Sequence, residues 1–535
     1  MKRIENKYLI TLAIAFFTLV LNGQNTLPSC VITAPHSNAY FMQGTNVAIR
    51  VYASDLGGTY TGGNIQKVEF FLDDTKLGES TTATSNTYSY LWENVTAGTY
   101  RLTAKATDNV NAEFTSAGVI ITVGSEAAIS TGLSAGKGKY LANINGFNRS
   151  DYATYWNGVT AENSCKWGSV EATRDVMNWS NADKAYNYAK DKNMSFRYHA
   201  LAWGSQYPSW IKDLSPAEFQ EEMEEYMAAV ATRYPLIDQI DVLNENMYLN
   251  TWNKLEHAEG TPYFRAGMGG AGVTGYDWAI WLFEKARLYF PDAKLMINDF
   301  ELETNSSGLN EILILVKVLR DRGLIDGFGT QAHYFNVDGI TATSLNNALN
   351  TMDNSGVPIY VTELDLKGKI VSEAGQLLSY QTSFPAYWNH PAVAGITLWG
   401  YVEGSTWAAG TGILNSNGTE RSAMTWLKTY MEGLPDVGFP FSDNTGTTGI
   451  EDFEGNHFFS VFPNPVVTGK VNIAANSGGK LTAIEIFNMK GMLVKSFQPN
   501  HSKVEIEVSD LDKGLYYFKV KTESNVTSRK ILILQ

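Results

Sequence analysis

The feature that most limits the possible folds is the hydrophobic pattern between residues 130 and 435, which differs from that of the flanking regions. Short apolar segments typical of buried strands recur there, and helical patterns separate most of them. Strands that alternate with helices favour a parallel sheet, and eight such units in about 300 residues are typical of a (β/α)8 barrel. The candidate strands are residues 139–147, 155–163, 196–203, 238–245, 293–299, 327–333, 358–364 and 393–400.

Two of the intervening segments carry clear helix signals. Residues 215–234, SPAEFQEEMEEYMAAVATRY, begin with Ser215 and have Glu218 at the third following position, which is a capping box. Residues 276–290, YDWAIWLFEKARLYF, place apolar side chains at helical spacing. Both segments support the predicted alternation, and the barrel fold places its chemistry at the carboxyl ends of the strands.

The regions that flank the barrel lack helical periodicity. Residues 27–124 alternate apolar and polar residues in about seven short segments, which predicts an immunoglobulin-like β-sandwich. This module could be a spacer or could bind carbohydrate, and the sequence leaves both open. Residues 436–455 are typical of a linker, and residues 456–535 return to short β-segments that predict a second, small β-sandwich.

The amino terminus is typical of a secretory signal peptide at residues 1–23. A basic start precedes an apolar run of 14 residues, Tyr8 to Leu21, which is too short to span a membrane, and Gly23 offers a small residue for cleavage. No later run is long and apolar enough to cross a bilayer. We therefore expect a mature chain without a membrane span.

Charge and cysteine content exclude several classes of function. The net charge is −14 and the pI about 5.1, which argues against nucleic acid or an anionic membrane as the main partner. The two cysteines, Cys30 and Cys165, form no CxxC or Cys/His cluster, so we expect no metal and no cofactor. One disulfide, or a lipid on Cys30, stays open at this stage.

Polar side chains collect where the predicted barrel strands end. A single carboxylate after a strand is usually structural, but seven polar ends that converge on one barrel mouth indicate a site. These residues are Glu162, Asn163, Lys166 and Trp167 after strand two, His199, Trp203 and Gln206 at strand three, Asn244 and Glu245 at strand four, Asn298 and Asp299 at strand five, Gln331 and His333 at strand six, Thr362 to Asp365 at strand seven, and Trp399 at strand eight.

Glu245 and Glu363 would face each other across the mouth. Hydrolysis of a glycosidic bond needs one acid that protonates the leaving oxygen and one carboxylate that attacks the anomeric carbon. A separation of roughly 5–5.5 Å would give retention through a covalent intermediate. Asn244 could donate to a sugar hydroxyl beside the bond, and His333 could keep Glu363 ionised.

The ordered strand-end motifs resemble those of glycoside hydrolase family 10, the retaining endo-β-1,4-xylanases, over about 300 residues from Tyr140 to Leu434. The motifs are TAENSCKW (160–167), RYHALAWGSQYPSW (197–210), DVLNE (241–245), MINDF (296–300), IDGFGTQAHY (325–334), VTELD (361–365) and GITLWG (395–400). The resemblance implies that Glu245 is the acid/base and Glu363 the nucleophile.

The same resemblance implies a set of residues that bind the sugar chain. It places Gln331 and His333 at the nucleophile, and Trp399 and Trp407 over the bound sugar. The residues that it places around the glycone-side subsites are Glu162, Asn163, Lys166, His199, Trp203, Gln206 and Asn244.

Several positions depart from the family pattern. Gly204 stands where the family usually has histidine, and Phe300 replaces the tyrosine of its NDY motif. The usual proline and glycine after the ENxxKW segment are Ala172 and Asp175, and the acidic residue and serine before the last tryptophan are Glu403 and Thr406. The catalytic pair is intact, so these differences bear on substrate detail. The glycine-rich insert 266–278 is expected to shape the leaving-group side.

Both flanking regions also resemble known modules. Residues 68–108 are similar to bacterial immunoglobulin-like modules found beside surface glycosidases. The tail resembles the C-terminal sorting domain of type IX secretion, through FPNP (462–465), IEIFNMKGMLV (484–494) and the segment 514–520. This implies secretion machinery as a partner and a secreted or cell-surface location, with export through the periplasm. A second sandwich without an export role is the alternative.

The sequence thus predicts a secreted, monomeric, retaining endo-β-1,4-xylanase that acts on a xylan-like polysaccharide. Action on another β-glucan or a modified xylan is one alternative, and a non-catalytic surface carbohydrate-binding protein is another. A metal site built from Glu162 and His199 is disfavoured, because Lys166 beside them would repel a cation.

Overall fold

The computed structural model describes residues 25–56, 63–124, 132–135, 137–144, 149–245, 261–434 and most of 459–533. The predicted signal peptide lies outside these residues, and so does the predicted linker. The chain divides into two compact units, residues 1–436 and 437–535. Within the described residues, no helix combines the length and hydropathy that a membrane span requires.

Eight parallel strands close into a barrel, as predicted. Each strand lies within its predicted segment or close to it. All eight strands are buried over almost their whole length, which explains why their sequences are nearly continuously apolar. The strands are Tyr140–Ile144, Gly158–Thr160, Ser195–Trp203, Gln239–Asn244, Lys294–Asp299, Gly327–Thr330, Ile359–Leu364 and Val393–Leu398. We number them one to eight.

Helices lie between the strands and cover the outside of the barrel. The predicted capping box is present, since the Ser215 hydroxyl accepts from the Glu218 N–H and the Glu218 carboxylate accepts from the Ser215 N–H. The helices are Tyr152–Tyr155, Trp167–Val170, Ser180–Asp191, Pro216–Arg233, Thr261–Gly267, Asp277–Tyr289, Ser306–Arg320, Tyr334–Val337, Ala342–Asp353, Glu373–Asn389 and Ser422–Glu432, with a 3-10 turn at Ser209–Asp213.

The barrel interior changes from apolar to polar along the strands. Near the amino ends, Tyr140 and Tyr360 stack at 6.2 Å between ring centroids, and Met296 packs with them in one small cluster. Towards the carboxyl ends the buried residues include Asn244 and Asn298. The barrel is therefore packed at one end, and its polar groups face the other end.

The amino-terminal region is an immunoglobulin-like sandwich of two sheets, which confirms the predicted fold class. The sequence predicted about seven strands, and the structure adds short pairings that residue patterns do not reveal. The strands are Ser29–Ala34, Tyr40–Met42, Val47–Ser54, Ile65–Leu72, Thr75–Ser80, Thr87–Trp92, Gly98–Asp108, Glu113–Thr115 and Val119–Gly124. Cys30 and Cys165 are both free and buried, so they form no disulfide with each other.

The sandwich packs against the barrel within the first compact unit. Its contacts reach residues that precede strands four, five and seven, at the amino end of the barrel. The Ser37 N–H donates to Asp238 at 2.8 Å, the Tyr52 hydroxyl donates to Asp353 at 2.7 Å, and the Arg101 Nε donates to Asp292 at 2.9 Å.

The second unit contains two antiparallel sheets around one apolar core that includes Val471, Ile484 and Phe518. This agrees with the predicted small β-sandwich. The strands are Phe459–Phe462, Lys470–Ala475, Leu481–Asn488, Leu493–Phe497, Lys503–Glu507, Gly514–Thr522 and Val526–Ile533.

Candidate active site

Glu363, at the end of strand seven, is a buried carboxylate with cationic neighbours. It is 3% exposed, and its Oε1 accepts from the Asn298 Nδ2 at 2.7 Å. Its Oε2 lies 3.3 Å from the His333 Nε2, and its Oε1 lies 4.0 Å from the Arg197 guanidinium. Burial raises the pKa of Glu363, but His333, His199 and Arg197 outweigh burial and lower it to about 2.

His333, after strand six, lies between two carboxylates. Its Nδ1 is 3.1 Å from the Asp365 Oδ1, on the side away from Glu363. Burial lowers the pKa of His333, but Asp365 and Glu363 outweigh burial and raise it to about 10. His333 is therefore an imidazolium at neutral pH, and it holds Glu363 in the ionised form.

Glu245, directly after strand four, is fixed by donors from the ends of strands three and six. The Trp203 Nε1 donates to its Oε2 at 2.8 Å, and the Gln331 Nε2 donates to its Oε1 at 3.0 Å. The backbone of Glu245 has a φ of 57°, in the left-handed region that non-glycine residues seldom adopt. This turn directs the carboxyl group into the mouth of the barrel.

Asn298, at the end of strand five, connects the two glutamates. Its Nδ2 donates to Glu363 at 2.7 Å and also to the Asn244 Oδ1 at 2.8 Å. Its backbone carbonyl accepts from the Glu245 N–H at 2.8 Å. The Asn244 Nδ2 is buried and has no hydrogen-bond partner within the described part of the chain, so it is a donor available to a ligand. In the sequence, Asn298 is recognisable only as a polar residue at a strand end.

Arg197 and Asp241 are buried site residues that were not predicted from the sequence. The Asp241 Oδ2 lies 2.7 Å from the His199 Nδ1 and 3.3 Å from the Arg197 Nε. The Arg197 Nη1 also donates to the Thr362 carbonyl at 3.0 Å, beside Glu363. Each lies inside a strand, among residues that otherwise look like core, and no strand-end signal marked them.

One wall of the mouth comes from the segment after strand two. Lys166 is buried, and its Nζ donates to the Asn163 Oδ1 at 2.9 Å and lies 4.4 Å from the centre of the Trp203 ring. Burial lowers the pKa of Lys166, while Glu363, Glu245 and Glu162 oppose that change. Burial also raises the pKa of Glu162, and Lys166 opposes it. These predicted residues lie together near both catalytic candidates.

The predicted tryptophans lie at different depths. Trp399 is buried, with its ring 5.4 Å from that of His199, whereas Trp407 is half-exposed and 5.1 Å from the His333 ring. The Trp407 Nε1 donates to Asp365. Gln206 is exposed, and its backbone carbonyl accepts from the Gly168 N–H. Among the described residues, the Gln206 side chain forms no hydrogen bond with Glu245 or Glu363.

Comparison with known families decides the assignment. The model of glycosyl hydrolase family 10 matches residues 123–430, which is more than half of the chain. The chain belongs to glycosyl hydrolase family 10. Residues 28–104 match a bacterial Ig domain, and residues 460–534 match a secretion system C-terminal sorting domain. The three resemblances seen in the sequence are thereby confirmed.

Family 10 relatives match the barrel region. Endo-1,4-beta-xylanase B of Cellvibrio japonicus is 38% identical over 292 residues, 54% of this chain and 45% of that protein, so this chain spans less than half of it. Endo-1,4-beta-xylanase 3 of Hypocrea jecorina is 30% identical over 257 residues, 47% of this chain and 68% of that protein. A family 10 structure from Paenibacillus barcinonensis is similar in fold, with a TM-score of 0.50, 24% identity and coverage of 57% of this chain and 99% of that one.

Two departures from the family 10 pattern have a visible structural role. Asp175 takes the place of the usual glycine with a φ of 64°, and its N–H donates to the Glu171 Oε1 at 2.8 Å. Glu403 accepts from the Gly410 N–H at 2.9 Å and from the Gly412 N–H at 3.2 Å. It therefore orders the loop that carries Trp407.

One carboxylate cluster in the described residues is compact enough for a metal ion: Glu171, Asp175 and Glu222. The carboxylates of Glu171 and Glu222 already have partners, because Arg174 pairs with Glu222 and the Trp167 Nε1 donates to Glu171. Among the described residues, Glu162 and His199 do not belong to a cluster of this kind.

Proposed function

We propose that this chain is a secreted, retaining endo-β-1,4-xylanase that uses Glu363 as nucleophile and Glu245 as acid/base. The observation that carries the proposal is the arrangement around Asn298. Its side chain donates to Glu363, and its carbonyl accepts from the Glu245 N–H. Two carboxylates held by one residue at a barrel mouth form the pair that glycoside hydrolysis requires.

In the first step, an oxygen of Glu363 attacks the anomeric carbon as the glycosidic carbon–oxygen bond breaks. The proton of Glu245 passes to the departing oxygen, which leaves as a hydroxyl. His333 favours this step because its charge keeps Glu363 ionised in a buried position. The product is a glycosyl ester on Glu363 and a shortened sugar chain.

In the second step, water attacks the anomeric carbon of the ester. The carboxylate of Glu245 takes a proton from that water, and Glu363 leaves with the electron pair of the ester bond. The Trp203 and Gln331 donors orient Glu245 in both steps. Two inversions at one carbon give net retention of configuration.

The remaining side chains would bind the sugar units. The unpartnered Asn244 Nδ2 is suited to a hydroxyl next to the bond that breaks. Glu162, Asn163 and Lys166 offer polar groups on one wall, and the rings of Trp399 and Trp407 offer apolar faces for pyranose rings. The two relatives from Cellvibrio japonicus and Hypocrea jecorina are endo-1,4-β-xylanases, which favours xylan over other β-linked polymers as the substrate.

A substrate panel tests this proposal. The purified mature protein is incubated with xylan, cellulose, mannan and mixed-linkage glucan, and new reducing ends are measured. We expect activity on xylan that Glu363→Gln abolishes, and NMR of early products should show the β-anomer. Activity on a non-xylan polymer alone would refute the substrate, and binding without hydrolysis would favour a non-catalytic carbohydrate-binding protein.

The role of Glu245 has its own test. Glu245→Ala should lose activity on xylan but keep rapid ester formation from aryl xylobiosides, whose activated leaving groups need no proton. Stopped-flow release of the phenol measures this step. Equal losses on both substrates would show that Glu245 is not the acid.

The carboxyl-terminal domain at residues 456–535 bears on the location of the protein. The sorting-domain match at residues 460–534 supports a secreted or cell-surface protein that secretion machinery recognises through its tail, after export directed by residues 1–23. We propose that the catalytic domain at residues 130–435 functions as a monomer. Removal of residues 456–535 should retain the enzyme in the periplasm, as cell fractionation would show, and an unchanged extracellular yield would contradict this role.

A further inference from the structure

The loop after strand seven carries a partly exposed lysine, Lys367. The Lys367 Nζ lies 3.5 Å from the centre of the Tyr334 ring, and among the described residues it has no ion pair with a carboxylate. The carboxylates next to it serve other groups, since Asp338 accepts from the Lys367 N–H and Asp365 accepts from Trp407. In a chain of net charge −14, a partly exposed cation of this kind is open to an anionic ligand.

Two half-exposed aromatic rings lie beside this lysine. Phe335 and Trp407 are each 51% exposed, and their ring centroids are 6.4 Å apart. The Tyr334 ring lies 5.3 Å from Phe335 and 6.1 Å from Trp407, so the four residues form one continuous surface. We call Tyr334, Phe335, Lys367 and Trp407 the lysine–aromatic corner.

The lysine–aromatic corner adjoins the catalytic pair. Phe335 stacks on the imidazole of His333 at 5.4 Å with an interplanar angle of 27°, and that imidazole contacts Glu363 at 3.3 Å. The stem of Lys367 approaches Gly410 in the loop that carries Trp407. A sugar chain in the mouth would therefore pass within reach of this surface.

The chemistry of this surface selects one class of ligand. Exposed aromatic faces suit the apolar faces of pyranose rings, and an ammonium group suits a carboxylate. A neutral side branch such as arabinose would leave the ammonium unused. On a xylan chain, the group that presents both a pyranose ring and a carboxylate is a uronic acid branch.

We propose that the lysine–aromatic corner binds a uronic acid branch of xylan, with Lys367 paired to its carboxylate and Phe335 or Trp407 against its ring. This inference rests on the proposed xylanase function and adds the substrate class. The rival interpretation is that Lys367 only stabilises Tyr334 through the cation–π contact. That interpretation predicts no preference for acidic substrates.

A pair of matched polymers separates the two interpretations. Glucuronoxylan is compared with the same polymer after chemical reduction of its carboxyl groups to alcohols, and kcat/KM is measured from reducing ends for the full mature chain. For Lys367→Met, we expect the ratio of the acidic to the reduced polymer to fall about fivefold, the factor to which ~1 kcal/mol corresponds. The change should come from KM on the acidic polymer.

Two further variants control for charge and packing. Lys367→Arg keeps the positive charge and should keep most of the wild-type ratio. Lys184→Met removes a charge from the helix Ser180–Asp191, where Lys184 donates to Asn181, and should leave the ratio unchanged. If Lys367→Met keeps the wild-type ratio of kcat/KM between the acidic and the reduced polymer, the proposed uronate site is refuted. A wild-type protein inactive on both polymers would refute the xylanase function itself, and this inference with it.

Discussion

Replacing His333 by glutamine would remove the charge beside Glu363 while keeping an N–H donor at similar reach. In the wild type, the imidazolium lies 3.3 Å from Glu363 and helps to lower its pKa from 4.5 to about 2. Without that charge, burial still favours the neutral acid, and only Asn298, Arg197 and His199 oppose it. We therefore expect the pKa of Glu363 to return to 4.5 or above.

The assay is the pH dependence of kcat/KM for an aryl xylobioside with an activated leaving group. That parameter reports ionisations of the free enzyme, and the leaving group makes it depend on Glu363 rather than on Glu245. At pH ~3.5, about a tenth of Glu363 would be ionised in the variant, against nearly all in the wild type. The acid limb should thus move from about pH 2 to ~4.5 or higher.

The same pair contributes to stability, and the sign follows from the two pKa values. The pKa of Glu363 is lowered to about 2, so its stabilisation is present above 4.5 and is lost as the pH falls through 2. The pKa of His333 is raised to about 10, so its stabilisation is present below 6.5 and is lost as the pH rises through 10. At pH 7 the variant should lose on the order of 3 kcal/mol of unfolding free energy.

The control is His390→Asn, which removes a histidine that hydrogen-bonds Asn350 and precedes strand eight at the opposite end of the barrel. It should leave the acid limb in place even if it lowers stability. Circular dichroism at each pH excludes unfolding as the cause of lost activity. An acid limb in His333→Gln within ~0.5 pH of the wild type would show that the imidazolium does not set the ionisation of Glu363.

Three other changes test separate parts of the structure. Asn298→Ala should slow single-turnover ester formation about tenfold to a hundredfold, because a hydrogen bond to a charged group contributes ~1.5–3 kcal/mol. Ser215→Ala should cost ~1 kcal/mol in urea unfolding through loss of the helix cap. Asp238→Asn should cost ~3 kcal/mol because it leaves Lys294, its partner at 2.7 Å, buried and unpaired. Asp292→Asn is its control, since that carboxylate is partly exposed and should cost ~1 kcal/mol or less.

Much of the barrel could be predicted because its strands are buried on both faces. Such strands give short apolar runs, and in this chain each run ends with polar residues that mark the carboxyl end. Strand two was predicted least well, as 155–163, because the structure keeps only Gly158–Thr160 in the sheet. The residues before it form the short helix Tyr152–Tyr155, and Glu162 follows the strand without belonging to it.

The charged interior of the site could not be predicted in the same way. Arg197 lies on strand three and Asp241 on strand four. Their contact depends on the register of these two strands, which shifts between His199 and Ala202. Asn298 was visible as a strand end, but its bonds to Glu363 and Asn244 require the closed barrel. Strand register and barrel closure depend on contacts between residues that are distant in the sequence, and the pattern within one segment does not reveal those contacts.

The position of the immunoglobulin-like module bears on a question that the sequence left open. Its contacts with Asp238, Asp292 and Asp353 lie before strands four, five and seven, whereas Glu245 and Glu363 lie after strands four and seven. A strand of six residues spans about 20 Å, so the module and the catalytic pair occupy opposite ends of the barrel. A module fixed at the closed end cannot lengthen the substrate cleft, and any carbohydrate that it binds would be a separate chain or a distant part of the same polymer. The buried pair of Asp238 with Lys294, capped by the Ser37 N–H, instead favours a structural role in closing the amino end of the barrel.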